Sequence, residues 1–271
     1  MIGPLAGLEP ISLDDLTARA ELLTRIDRKY LVTRAIADRL VTELDDRAMV
    51  LEIDGAREFG YRSVYFDTPA LSSYLGAAQG RRRRFKVRIR TYLDSGDRFV
   101  EVKTRGQRGS TVKERVPAWR DDRLDPDDRA YVREALRAGG IEADVRSLAP
   151  VLTTEYDRST LYSPVSGGRT TIDTELHWQL PGGGGFTPRD LAIVETKSTG
   201  SASEVDRLLW SMRQRPRSVS KYATGLAVMR PDLPSHRWHP VIRRHFSTLD
   251  RTTLTDHAPI QYAPIQQENV S

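Results

Sequence analysis

Alternation is the dominant signal in the middle of the chain. From Phe85 to Tyr92, Phe85, Val87 and Ile89 fall on one face of an extended segment and Lys86, Arg88 and Arg90 on the other, because successive side chains of a strand point to opposite sides. The same split recurs downstream. Glu101, Lys103 and Arg105 oppose Val100, Val102 and Thr104; Lys113 and Arg115 oppose Val112 and Val116; Glu195 and Lys197 oppose Ala192, Val194 and Thr196. Arg169, Thr171, Asp173 and Glu175 form a further polar face against Ile172 and Leu176.

Period and punctuation together predict the elements around these strands. Extended segments are expected at Arg28 to Thr33, within Met49 to Asp67, and at Phe85 to Leu93, Arg98 to Arg105, Thr111 to Val116, Val151 to Leu161, Arg169 to Leu180 and Leu191 to Ser198. Ser12 and Asp15 make a capping-box pattern before Leu13, Leu16, Ala20 and Leu23, and Thr33 can cap a helix carrying Ile36, Leu40, Val41 and Leu44. Helices are also expected at Leu71 to Ala78, Asp125 to Arg137, Ala202 to Met212 and Ser220 to Met229. The short spacers Asp94 to Asp97 and Gly106 to Gly109 predict an antiparallel meander, and Gly182 to Gly185 a strand-linking loop. Beyond Pro231 the chain is polar and Pro-bearing, so a loosely packed tail is expected there.

Composition narrows the class. The 271 residues suffice for one large domain, and 38% hydrophobic with 29% charged residues is a soluble composition. No apolar run reaches membrane-spanning length and no secretory pattern opens the chain, so a cytoplasmic protein is expected. With no Cys, neither disulfides nor thiolate metal sites enter. The net charge of +5 favours an anionic partner. A half-exposed antiparallel sheet has a polar outer face by default, but such a face ordinarily mixes both signs, whereas these concentrate cations with a few spaced acids. Like charges packed together repel unless a polyanion neutralises them. The expected fold is therefore α+β: an antiparallel β-barrel with its polar faces inward and helices packed outside.

The motifs Arg28-Lys29-Tyr30, Ser63-Val64-Tyr65-Phe66-Asp67-Thr68, Lys86-Val87-Arg88-Ile89-Arg90, Glu101-Val102-Lys103, Lys113-Glu114-Arg115, Glu195-Thr196-Lys197 and Ser220-Lys221-Tyr222 occur in that order. Together, over roughly Leu22 to Met229, they resemble the VTC domain, the polyphosphate polymerase domain of the CYTH-like triphosphate tunnel metalloenzyme superfamily. The resemblance implies a triphosphate tunnel domain over 1–230, followed by a tail over 231–271. It implies an enzyme, a transferase that moves the terminal phosphoryl of ATP onto polyphosphate with Mn²⁺ or Mg²⁺. Lys29, Arg88, Arg90, Lys103, Lys113, Arg158, Arg169, Lys197 and Lys221 match phosphate-binding positions. Catalysis is expected of Arg88, Arg90, Lys103, Glu195 and Lys221. Metal binding is expected of Glu195, with Glu101, Asp173 and Glu175 as second ligands or as groups that orient the lysines. Where fungal members carry a second lysine, three positions before the residue matching Lys221, this chain has Ser218.

Implied partners are ATP, polyphosphate, inorganic triphosphate or pyrophosphate. A tripolyphosphatase or adenylate cyclase of the same superfamily, or a non-catalytic module binding polyphosphate or nucleic acid, are the alternatives. Nucleic acid ranks low, because Arg81 to Arg84 has no accompanying recognition motif and adjoins a cavity-facing strand, where it reads as a basic mouth. No P-loop pattern occurs. His236 and His239 read as surface residues, and Tyr61, Tyr65 and Tyr156 as packing groups or hydrogen-bond donors.

Overall fold

A computed structural model describes residues 3–19, 26–105 and 111–246. In chain order it contains β1 (Glu9–Ile11), α1 (Leu13–Arg19), β2 (Ile26–Thr33), α2 (Arg34–Leu44), β3 (Met49–Leu51), β4 (Phe59–Asp67), α3 (Ser72–Ala78), β5 (Arg84–Tyr92), β6 (Arg98–Arg105) and β7 (Thr111–Pro117). There follow α4 (Pro126–Ala138), β8 (Ala149–Ser163), β9 (Gly168–Gln179), β10 (Gly185–Phe186), β11 (Leu191–Ser198), α5 (Glu204–Ser211), α6 (Lys221–Met229) and α7 (His239–His245). Ala20 and Leu23 of the first expected helix and the Gly106 to Gly109 spacer lie outside the described residues. Among the described residues, no helix is long and apolar enough to cross a membrane.

The strands form one sheet in the order β2-β11-β9-β8-β4-β5-β6-β7, antiparallel along that path, with a parallel β1–β3 pair attached to β8. The path has two ends, β2 and β7, so hydrogen bonds do not close the barrel among the described residues. The sheet nevertheless curls. Lys103 on β6 feels the charges of Lys29 on β2 and Glu195 on β11, and Lys86 on β5 feels Lys29 as well. Strands far apart in sheet order thus face one another across a concave side.

The apolar faces pack outward under helices as the alternation predicts. Val64, Phe66, Phe85, Val87, Ile89, Val100 and Val102 meet α4 through Val132, Ala135 and Leu136. Tyr30, Val32, Ile172, Ala192 and Val194 meet α2 and α5. Local signals start these helices: Thr33 accepts from the Ile36 amide, and Asp125 and Ser203 close capping boxes with Asp128 and Asp206.

Part of the concave side is apolar too. Leu31, Tyr65, Leu152, Leu176, Trp178 and Ile193 form a cluster with α6, which is buried along nearly its whole length. The polar concave area therefore ends where α6 begins. Residues 232–246 depart from the expected loose tail: Leu233, Trp238, Val241 and Phe246 are buried in this same cluster. Widely spaced apolar residues in a polar segment hide that packing from a reading of local composition. Residues 247–271 lie outside the described chain.

Candidate functional site

The inward side chains of β2, β5, β6, β7, β8, β9 and β11 meet α6 in a set of paired charges. Each of the inward carboxylates Glu101, Asp173 and Glu195 is held by two cations. Glu195 contacts Lys29 through Oε2 and Lys197 through Oε1, and Lys197 also reaches Asp27 at 3.1 Å. Glu101 accepts from Arg88 Nε at 2.7 Å and from Lys113 Nζ at 2.8 Å. Asp173 accepts the Arg158 fork at 2.6 and 2.9 Å and is contacted by Lys221. Registers explain the pairings: Glu195 lies opposite Lys29, Glu101 opposite Arg88, and Asp173 opposite Arg158. Cross-strand neighbours of opposite sign meet because their Cβ atoms share a face.

These pairs are taken from water. Glu101 and Asp173 are 2% and 1% exposed. Burial opposes the charge of Glu101, yet Arg88, Arg90 and Lys113 outweigh it and hold the carboxyl below the usual range. Burial likewise opposes Asp173, and Arg158 with Lys221 reverses the effect. Burial lowers Lys221 to about 8 despite the adjoining Asp173, and Lys113 to about 8 despite Glu101. Lys86 is pushed well down, by burial and then by Arg88, Lys103 and Lys29.

Aromatic rings form part of the lining. Arg90 donates to Tyr156 Oη at 3.0 Å and lies over the Tyr61 ring, and Lys221 Nζ sits 4.0 Å from the Tyr156 centroid. Arg88 donates to Tyr65 Oη at 3.3 Å. Tyr65 and Tyr156 thus accept from arginines. Burial alone would raise the Tyr65 hydroxyl, but Arg88, Arg90 and Lys221 hold it below the ordinary phenol value. Several buried polar atoms on this side have no partner: Arg90 Nε, Ser63 Oγ, Thr154 Oγ1 and Thr171 Oγ1. Ser63 lies opposite both Arg90 and Thr154, so three of these atoms belong to adjacent strands. Buried polar groups ordinarily find partners, and donors gathered in this way suit an anion with many acceptor oxygens.

The expected site residues are accordingly brought onto one concave surface, with Arg169 opposite Lys197 in the β9–β11 ladder. Glu175 is the exception. It adopts a φ of 48°, beside the irregular register of β8 and β9, and its 61% exposed side chain pairs with Arg34 on the outside. The extra residue of such a bulge flips the later positions, which strict alternation could not anticipate. Lys86 was missing from the expected set although it shares the face of Arg88 and Arg90; it donates to Ser220 Oγ at 2.9 Å.

A divalent cation travelling with a triphosphate needs only one or two protein carboxylates, the phosphates and water supplying the rest. Glu195 fits that role, being an oxygen donor on the concave side with 15% exposure. Among the described residues no three His, Asp or Glu side chains gather into a cage. Glu101 and Asp173, like Glu195, each hold a pair of cations, and on each of them one of the two is a lysine.

The sequence matches the VTC domain model over residues 24–230. No match is found among curated proteins. Among solved structures, a candidate adenylate cyclase from Bacillus halodurans is 16% identical, with 70% of this chain and 87% of that chain covered and a TM-score of 0.43. A candidate adenylyl cyclase from Hippeastrum with a dominant triphosphatase activity is 15% identical, with 75% and 96% covered and a TM-score of 0.43. A candidate adenylate cyclase from Vibrio parahaemolyticus is 12% identical, with 75% and 97% covered and a TM-score of 0.40.

Proposed function

The chain belongs to the VTC domain family, and from that premise we propose that it is a metal-dependent phosphotransferase, binding ATP or polyphosphate on its cationic concave face and moving the terminal phosphoryl group onto a growing polyphosphate chain. One observation carries the reading: cations from several strands and α6 converge there, while both oxygens of Glu101, Asp173 and Glu195 are engaged by cations.

Phosphoryl transfer asks little covalent chemistry of a protein; it asks for positioned phosphates, neutralised charge and an in-line acceptor. Arg88 and Arg158 offer planar forks suited to phosphate oxygens, and Lys29, Lys103, Lys197 and Lys221 supply compact charge. Arg90 has an unpaired Nε to offer. Lys221 stands in the first turn of α6, where the amide ends of the helix add to the attraction for an anion. Arg88, Arg90, Lys103 and Lys221 are the groups we assign to the transferring phosphoryl. Mg²⁺ or Mn²⁺, held by Glu195 together with substrate oxygens, would supply further neutralisation of the triphosphate.

The engaged carboxylates favour transfer over hydrolysis. An acceptor phosphate is already ionised at neutral pH and needs no base, whereas water must be oriented or activated. A carboxylate clasped by two cations is poorly placed to take a proton from water. The test is incubation of the purified protein with ATP and Mn²⁺, with products resolved by gel and phosphorus NMR. Long polymer with ADP is expected; phosphate alone or cyclic AMP would overturn the polymerase reading.

A further inference from the structure

The cationic face does not stop at the cavity. Along the β5–β6 ladder the inward rows run Arg88 with Glu101, Lys86 with Lys103, then Arg84 with Arg105. Arg84 is destabilised as a cation by burial, then by the charges of Arg105 and Arg237, so three guanidiniums converge at this rim. The loop before α6 joins rim to cavity. The Arg217 amide donates to the Lys29 carbonyl at 2.7 Å, Lys86 reaches Ser220, and Arg237 Nε donates to Ser218 Oγ at 3.3 Å. Arg217 and Arg244 both act on His245, which brings α7 beside the same loop. There His236, His239, Arg243 and Arg244 line a shallow groove of about 490 Å³.

Inside the cavity most cations have a carboxylate; on this rim, among the described residues, they do not. Among the described residues, Arg84, Arg105, Arg217, Arg237, Arg243 and Arg244 make none of the ion pairs found elsewhere in the molecule. Unneutralised guanidiniums side by side repel one another and are favoured by a bound polyanion. We propose that this belt, from Arg84 and Arg105 over Arg237 to the α7 groove, binds the part of a phosphate chain that extends beyond the cavity.

The inference rests on the phosphate-chain reading of the cavity and adds a second binding surface outside it. A bare phosphate chain fits better than single-stranded nucleic acid, which is bound by stacking bases on exposed aromatic rings. Trp238 and Phe246 beside the belt are buried, and the exposed Trp119 follows Pro117 at the opposite end of the β6–β7 ladder.

The experiment measures affinity for tripolyphosphate and for long-chain polyphosphate over a range of salt concentrations, in the unaltered protein and in the triple variant Arg237→Gln, Arg243→Gln, Arg244→Gln. The variant is expected to lose long-chain affinity about tenfold and to show a shallower salt dependence, by roughly 2 in the log–log slope for three lost phosphate contacts. Unchanged tripolyphosphate affinity would show that the variant is folded and its cavity intact. Equal long-chain affinity in both proteins would overturn the belt, as would single-stranded DNA binding as tightly as polyphosphate and losing as much in the variant. Failure of the unaltered protein to bind tripolyphosphate would remove the cavity reading and the belt with it.

Discussion

At the scale of residues, two kinds of group do different work on the same face. Glu195 holds Lys29 and Lys197 and is the proposed metal ligand, so Glu195→Gln should abolish turnover while largely sparing triphosphate binding; full activity of the variant in excess metal would refute the assignment. Arg88 binds phosphate in our reading and also neutralises the buried Glu101. Its removal leaves Lys113 as the remaining direct partner, so Arg88→Ala should weaken triphosphate binding and cost about 3–5 kcal/mol in denaturant unfolding. Lys221 sets a pH dependence whose sign differs for stability and binding. Burial holds it near 8 against a usual 10.5, so between these values the unfolded chain binds more protons and this group's contribution to apo stability rises with pH. The cation needed for phosphate is lost over the same window. Triphosphate affinity measured by calorimetry should therefore fall as pH rises through about 8, and Lys221→Arg should flatten that decline.

At the scale of elements, α6 is what divides the concave side into apolar and charged parts, and its seating depends on neighbours far away in sequence. The Trp178 indole donates to the Lys221 carbonyl at 2.7 Å and lies directly over Gly225, where a Cβ would fall well inside van der Waals contact with the ring. Gly225→Ala should therefore destabilise by about 1–3 kcal/mol, seen in thermal unfolding, and should reduce activity by displacing Lys221. A second anchor is Asp67, which accepts from the amides of Thr68, Ser73 and Tyr74 and from the Tyr222 hydroxyl, linking β4 and α3 to α6. The charged side chains of α6 and its flanks are visible in the sequence. The reason for a glycine in mid-helix is not, because the ring that demands it belongs to β9.

At the scale of the whole molecule, residues 232–246 pack into the core. Trp238 is 2% exposed and its ring lies 5.7 Å from that of Tyr74, while Phe246 meets Trp178 and Phe186 edge-on. Trp238→Ala should cost about 3–5 kcal/mol in chemical denaturation; a change within error would mean that this segment contributes nothing to the fold.

Strand and helix placement, capping residues and the separation of charged from apolar faces follow from local order, because a period-two pattern and a side chain bonding its own helix need no distant partner. Arg88, Arg90, Glu101, Lys103, Glu195 and Lys197 could be assigned to one kind of face in this way. Their convergence is tertiary. Whether an alternating polar face meets water or encloses a cavity depends on the curl of the sheet and on strands brought together from opposite ends of its order, such as β2 and β6. The same dependence explains Glu175, turned outward by a bulge, and Trp238, buried in a segment whose composition reads as solvent-facing. Alternation tells which side chains travel together; only packing decides what they face.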